Sequence, residues 1–271
     1  MSPFTAKDVQ RLRQLAGVGM LDAKRALEAT DEDGITPEAH IEAAVQWLRV
    51  QGLSSAAKRA DRDASEGAVA AVRDGSVAAL VELRCETDFV AKTPEFVDLV
   101  AEIAARVAEE GESGVDQFAD QIAKLATTLK ENVSLGRVVR LTAGDNQVVD
   151  TYLHMQSDRG VNAVAIVVEG AGQSLAHEIA VHIAFARPTY LRREDVPEAD
   201  VAAERATIEE LSRNEGKPEA ALEKIVEGRI SGWFKDRVLL EQPYVRDEKQ
   251  TIAQLLGNAS IVSFAQVLIG D

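Results

Sequence analysis

The feature that most constrains the fold is a pattern that occurs twice: two β-rich runs, a tight turn between them, and then an amphipathic helix. In the first copy the β-rich runs cover residues 67–72 and 77–85. The turn between them contains Asp74-Gly75, a dipeptide typical of β-hairpins. A helix is predicted after Pro94, and its apolar face consists of Phe96, Leu99, Val100, Ile103 and Val107.

The second copy has its β-rich runs at residues 148–155 and 161–168, on either side of the turn Ser157-Asp158-Arg159-Gly160. A helix is predicted from about Leu175 to Ala186, and it ends before Pro188. Identity between the copies is too low to establish a duplication from sequence alone. The repeated order predicts an α+β fold whose core contains two related antiparallel hairpin-plus-helix units.

Three short helices are predicted before the first hairpin. Thr5 is a candidate N-cap for the first of them, which is expected to end at Gly17. The second follows the tight loop Gly17-Val18-Gly19 and covers Met20 to Thr30. The third begins near Pro37 and is expected to stop at Gly52. Three short helices in about 50 residues predict a small helical bundle.

These patterns divide the chain into four predicted segments. They are an N-terminal helical domain at residues 1–53, a linker or short helical connector at 54–64, core subdomain N at 65–147 and core subdomain C at 148–271. Within the last segment, residues 194–230 are charged and helical in pattern, with a break at 214–218, which predicts a projecting helical hairpin. A short helix at 251–256 and a strand at 261–268 are expected to rejoin the core.

The charge of the chain argues against nucleic acid as a partner. The formal net charge is -15, and no stripe of basic and aromatic residues offsets it. The first 62 residues are balanced, with nine basic and nine acidic side chains, so the excess lies in the remainder. No apolar run approaches the 18 or so residues that span a bilayer, and no signal-peptide pattern opens the chain. We expect a cytoplasmic protein with no membrane contact.

Signatures of catalysis are missing from the sequence. His177 and His182 are five residues apart, about 140° around a helix, whereas a zinc-peptidase helix needs histidines at i and i+4. No Gly-rich phosphate loop is present, so direct nucleotide binding is not expected. Cys85 falls within a predicted strand, which favours a buried structural thiol over a nucleophile. We therefore expect no enzyme activity, no cofactor and no bound metal.

One segment stays unexplained by these arguments: residues 84–96, where a predicted strand gives way to a turn. Thr87 or Asp88 could cap a short helical turn there, and Phe89 could pack into the core. Alternatively, an aromatic side chain beside a carboxylate on a rigid loop is suited to insertion into another protein. The residues alone leave both interpretations open.

This segment contains Thr87-Asp88-Phe89-Val90, which resembles a signature of the elongation factor Ts family. Further matches follow the same order along the chain, at Val9 to Leu27, Ile179 to Ala184 before Arg187-Pro188, Gly216 to Arg229, and Gln242-Pro243-Tyr244-Val245. The resemblance therefore covers nearly the whole chain. Glu178 stands where some members have a histidine, and Glu86 stands where some have glutamine.

The resemblance implies a ubiquitin-associated-like fold for the N-terminal bundle and a function in translation elongation. Such a factor binds the GTPase elongation factor Tu in its GDP form, disturbs the magnesium and phosphate site, and promotes GDP release so that GTP can rebind. By this resemblance, the loop that intrudes beside the magnesium site comprises Thr87, Asp88, Phe89 and Val90, with Phe89 as the wedge. The expected partner-binding residues are Val18, Gly19, Met20 and His182. A homodimer or a heterotetramer with the partner is left open.

Two alternatives belong to other functional classes. The first is a protein-docking module without exchange activity. The second is a hydrolase that uses paired carboxylates, although no Asp or Glu pair is singled out by its spacing. An assay of labelled GDP release from elongation factor Tu distinguishes the three. Acceleration at substoichiometric factor supports exchange, binding without acceleration supports docking, and neither result favours the hydrolase.

Overall fold

The computed structural model describes residues 4–16, 18–32, 34–59 and 62–270, and for residues 52–59 it describes the backbone alone. Its helices are α1 Ala6–Ala16, α2 Met20–Ala29, α3 Pro37–Arg59, α4 Asp88–Ala91, α5 Pro94–Glu110, α6 Ala119–Leu129, α7 Gln173–Ala186, α8 Glu198–Asn214, α9 Leu222–Arg237 and α10 Ile252–Leu256. Its strands are β1 Glu66–Asp74, β2 Val77–Cys85, β3 Ser134–Thr142, β4 Gln147–Gln156, β5 Arg159–Glu169, β6 Pro243–Tyr244, β7 Asp247–Thr251 and β8 Ser260–Leu268. This mixture of helices and antiparallel sheets confirms the predicted α+β class.

Helices α1, α2 and α3 pack around a small core of their own. Its buried members are Leu12, Ala23, Ala26, Leu27, Ile41 and Ala44. Thr5 caps α1 as predicted, because its hydroxyl accepts a hydrogen bond from the Asp8 N–H (3.4 Å) while Asp8 Oδ2 accepts from the Thr5 N–H (2.8 Å). Gly17, the predicted end of α1, lies outside the described residues.

The prediction that Gly52 ends the third helix is wrong. Helix α3 continues through Gly52 to Arg59 and so enters the segment predicted as a linker or helical connector. A glycine inside a helix costs only about 1 kcal/mol relative to alanine, and the alanine, lysine and arginine residues that follow favour helix. Residues 60 and 61 of that segment lie outside the described residues, and the four domain limits stay predictions.

Strands β1, β2 and β3 form the first antiparallel sheet, in that order. The predicted hairpin is confirmed: Asp74 pairs with Val77, and Gly75 has φ +54°, a conformation that glycine adopts without strain. Strand β3 was not predicted. It is an edge strand of the sheet and only partly buried, and Gly136 and Arg137 interrupt its apolar alternation.

Strands β4, β5 and β8 form a second antiparallel sheet of the same design, in which the third strand pairs with the second strand of the hairpin. The predicted turn is confirmed, with Ser157 and Asp158 both at positive φ (52° and 63°), as a type I′ turn requires. The predicted C-terminal strand is β8, and it follows the short helix α10 as expected.

The two sheets pack face to face, and helices cover their outer faces. The layer between the sheets is built largely from small side chains, including Val69, Ala78, Ala163, Ala165 and Val167. Helices α5 and α6 cover the first sheet, and α7 and α10 cover the second. Small residues let the sheets approach closely, which suits a chain with only 4% aromatic residues.

The predicted helical hairpin is formed by α8 and α9. Its apolar contacts are made by Val196, Ile208, Val226, Ile230, Phe234 and Val238. The Arg205–Glu227 ion pair (2.5 Å) joins α8 to α9, and the Arg229–Glu215 ion pair (2.5 Å) joins α9 to the turn between them. Within the described ranges, no helix combines the length and apolar character needed to cross a membrane.

Candidate protein-interaction site

The segment after β2 forms a single helical turn, α4, with two unlike faces. Thr87 is its N-cap, and the Thr87 hydroxyl accepts a hydrogen bond from the Val90 N–H at 3.4 Å. Val90 and Ala91 are buried against the core of the first sheet. Phe89 points the other way and is 81% exposed. The interpretation that Phe89 packs into the core is therefore wrong.

Glutamates from two different segments hold this turn in place. Glu131 Oε2 accepts hydrogen bonds from the Glu86 and Thr87 N–H groups, both at 3.1 Å, and Glu131 Oε1 accepts from the Thr87 hydroxyl at 2.5 Å. In return, Glu86 Oε1 accepts from the Asn132 N–H at 2.7 Å. The Arg62 guanidinium lies 3.4 Å from the same Glu86 carboxylate. Phe89 is thus presented by an ordered backbone.

Asp88, beside Phe89, carries a stabilised negative charge. Lys92 Nζ donates to Asp88 Oδ2 at 2.5 Å across one helical turn. This hydrogen bond, followed by the charges of Lys92 and Arg159, holds the pKa of the Asp88 carboxyl below its usual range. The tip of the loop therefore combines an exposed aromatic ring with an ionised carboxylate that is paired to a lysine.

Arg159, the first residue of β5, joins the second sheet to the start of β1, where Glu66 pairs with Cys85 just before this loop. Its guanidinium donates to the Gly67 carbonyl at 2.5 Å and to Glu66 Oε2 at 2.8 Å, at the start of β1. The neighbouring Gly160 lies so near β1 that an added Cβ would be 2.1 Å from the Val69 carbonyl oxygen. The sequence did not single out Arg159, because its partners lie more than 90 residues away in the chain.

Cys85 is buried, as predicted for a structural thiol. Burial raises its pKa to about 12, with a further contribution from the negative charge of Glu131. Its Sγ donates to the Thr87 carbonyl at 3.2 Å. Such a thiol is protonated and unreactive at neutral pH. Among the described residues, no cluster of three or more His, Cys, Asp or Glu side chains could hold a metal ion.

The predicted N-terminal contact residues lie at the start of α2. Gly19 is its N-cap, and Met20, its first residue, is 63% exposed. Other large apolar side chains exposed in these helices are Leu15, Leu21 and Val50. Asp22 on α2 pairs with Lys130 at 3.4 Å, and Lys130 precedes Glu131. Helix α2 and the Phe89 loop thus each contact the short segment that follows α6.

His182 lies away from both of these groups, in the interior. It is 1% exposed, its Nδ1 accepts from the Val245 N–H (3.3 Å), and its Nε2 lies 3.0 Å from Gln242 Oε1. These partners define a neutral ring with the proton on Nε2. Burial lowers its pKa. The ring holds the segment after α9 against α7, and almost none of its surface is open to a partner.

Glu178, where some members of the family have a histidine, has a structural partner here. Its Oε2 accepts a hydrogen bond from the Tyr244 hydroxyl at 3.1 Å. Tyr244 is buried in the core of the second sheet. Glu178 therefore fixes the same C-terminal segment that His182 holds.

Large apolar side chains held outward on ordered backbone are typical of surfaces that bind other proteins. Comparison with known proteins identifies the protein family. A profile of the family described as Elongation factor TS matches residues 86–271. The chain belongs to the elongation factor Ts family.

Full-length relatives support this assignment. Elongation factor Ts of Clavibacter michiganensis subsp. michiganensis is 45% identical, that of Mycobacterium marinum 44% and that of Beutenbergia cavernae 43%. Each alignment covers 100% of this chain and 100% of the relative. The match therefore includes the N-terminal helices, which lie before the part covered by the family profile.

Proposed function

We propose that the chain is a guanine nucleotide exchange factor for the translational GTPase elongation factor Tu. It binds the GDP form of the GTPase and promotes GDP release by disturbing the magnesium and phosphate site, after which GTP rebinds. The observation that carries this proposal is Phe89, an aromatic side chain 81% exposed at the tip of an anchored helical turn. Membership of the elongation factor Ts family supports the choice of this GTPase as the partner.

The loop is suited to act as a wedge because its conformation is fixed before binding. The Thr87 cap and the Glu131 carboxylate hold its backbone, and Val90 is packed beneath it. A loop whose backbone is already held loses little backbone entropy on insertion, so more of the burial energy of Phe89 is available to displace groups of the partner. The Asp88 carboxylate enters beside the ring together with Lys92, the lysine that pairs with it.

Other surfaces supply affinity in this proposal. The exposed apolar residues around Met20 lie within the first 62 residues, where basic and acidic side chains are equal in number, so they can approach an acidic or a neutral surface. In the second half of the core, Met155 and Phe185 are 52% and 74% exposed. We assign these residues to a second contact on the GTPase, apart from its nucleotide site.

In this proposal the chain catalyses no covalent reaction. It changes the relative stability of two forms of its partner, and its effect is set by the difference in its affinity for them. No cofactor is required for that role. The factor contacts the GTPase and does not bind the nucleotide itself.

Release of a fluorescent GDP analogue from elongation factor Tu tests the proposal. Wild-type factor at one tenth of the GTPase concentration should accelerate release of all the bound analogue in excess GTP, because each factor molecule acts repeatedly. Val262→Ala, which trims an exposed side chain on β8, is the control and should match wild type. A chain that binds the GTPase but leaves the release rate unchanged is a docking module, and the proposal fails.

A further inference from the structure

Glu131 supplies a hydrogen-bond acceptor for the N-cap N–H of α4, which α4 itself cannot supply. The first N–H groups of a helix have no partner within the helix, and a Glu or Gln three residues after the N-cap often reaches back to the N-cap N–H. In α4 that position is Val90, which is apolar and buried. The Glu131 carboxylate, 44 residues away in sequence, accepts from the Thr87 N–H and hydroxyl instead.

The connection works in both directions. The last described pair of the β2–β3 ladder before the loop is Arg84 with Ser134, and beyond it the two strands make no ladder bonds. Beyond that pair, side chains link the two segments. The Glu131 carboxylate accepts a hydrogen bond from the Glu86 N–H, and the Glu86 carboxylate accepts one from the Asn132 N–H. The junction before β3 and the junction after β2 therefore hold each other through two carboxylates.

We propose that Glu131 is a positioning residue for nucleotide exchange, which fixes the direction in which Phe89 points. A four-residue helix has too few internal hydrogen bonds to be stable by itself. Val90 and Ala91 hold its buried side, and Glu131 holds its N-terminal end. Without that carboxylate the turn frays, and the ring is no longer aligned with the partner's magnesium site.

This inference rests on the proposed function, and kinetics can separate the two. We would measure GDP release from elongation factor Tu against factor concentration for wild type, Glu131→Ala and Glu131→Gln. Glu102→Ala, which removes an exposed glutamate from α5, is the matched control. Wild type that fails to accelerate release overturns the proposed function. Wild type that accelerates it, with Glu131 variants that match it, overturns only the role of Glu131.

The expected result is a loss in kcat with little change in KM. A misplaced reactive group can cost up to about a hundredfold, so Glu131→Ala should lower kcat by roughly tenfold to a hundredfold. KM should hold because the surfaces around Met20 and Phe185 still bind. Glu131→Gln keeps one oxygen acceptor and should fall between wild type and Glu131→Ala. Glu102→Ala should behave as wild type.

Amide hydrogen exchange supplies a readout that does not depend on the GTPase. The Glu86 and Thr87 amides should exchange faster in Glu131→Ala, while amides of β4 and β5 keep their protection. Faster amide exchange with unchanged kcat would show that the bonds exist but do not position Phe89, and would overturn the inference. If Glu131→Ala does not fold, Glu131→Gln and Glu131→Asp carry the test, and wild-type kcat in both overturns it.

Discussion

Truncation of Phe89 to alanine is expected to slow nucleotide exchange while leaving the fold almost unchanged. Full burial of a phenylalanine side chain stabilises by roughly 1.5–3 kcal/mol. Because Phe89 is 81% exposed in the free chain, its loss should lower the free energy of unfolding by less than about 1 kcal/mol. Burial of the exposed part against the partner would contribute about 1.2–2.4 kcal/mol, so release should slow by roughly 8-fold to 60-fold.

Stopped-flow release of labelled GDP and thermal unfolding together test this prediction. The variant should keep the wild-type Tm to within about 2 °C, the shift that 1 kcal/mol produces in a chain of this size. Val262→Ala is the control for the loss of an exposed apolar side chain. A variant that exchanges at the wild-type rate would refute the wedge, and one that unfolds many degrees earlier would show that Phe89 supports the fold.

Three further predictions concern other parts of the chain. Removal of residues 1–61, which keeps the Arg62–Glu86 contact, should leave a folded core that binds elongation factor Tu more weakly in calorimetry, and equal affinity would refute the contact assigned to Met20. Phe185→Ala should raise KM for exchange and spare kcat, whereas a loss confined to kcat would contradict its assignment to affinity. The folded-state pKa of His182 lies below its ordinary value of 6.5, so the stability it contributes should be complete above pH 6.5 and decline as pH falls below it. Urea unfolding at pH 7.5 and 5.5 should show this decline in the free energy of unfolding of wild type and a smaller decline in His182→Asn. An equal decline in both proteins would refute the assignment.

Local chemistry made much of the fold predictable. Asp74-Gly75 and Ser157-Asp158 mark hairpins because their backbone conformations are set by the residues themselves. The Thr87 cap could be anticipated for the same reason, since its hydrogen bond to Val90 closes within one turn. Gly52 does not end α3, because one glycine does not outweigh several helix-favouring neighbours.

The missed features depend on contacts between distant segments. Glu131 meets Thr87 across 44 residues, and Arg159 meets Gly67 across 92, and no local pattern in the sequence reports such a pair. The exposure of Phe89 could not be predicted from the sequence either, because an aromatic residue beside Val90 fits either a core or a surface. The apolar residues around His182 in α7 favour its burial. Its hydrogen-bond partners Gln242 and Val245 could not be predicted, because they come from a segment about 60 residues later.

The most direct test of exchange is the coupling between the factor and GDP·Mg²⁺ on elongation factor Tu. If the factor disturbs the magnesium site, each ligand must weaken the other by the same ratio, because the coupling free energy is one quantity. Calorimetry gives the affinity of the factor for the GDP·Mg²⁺ form and for the nucleotide-free form, and fluorescence gives the affinity of labelled GDP with and without saturating factor. We predict equal ratios that shrink as free Mg²⁺ is removed. Equal affinity of the factor for both forms would contradict the account, because such a ligand cannot shift the equilibrium.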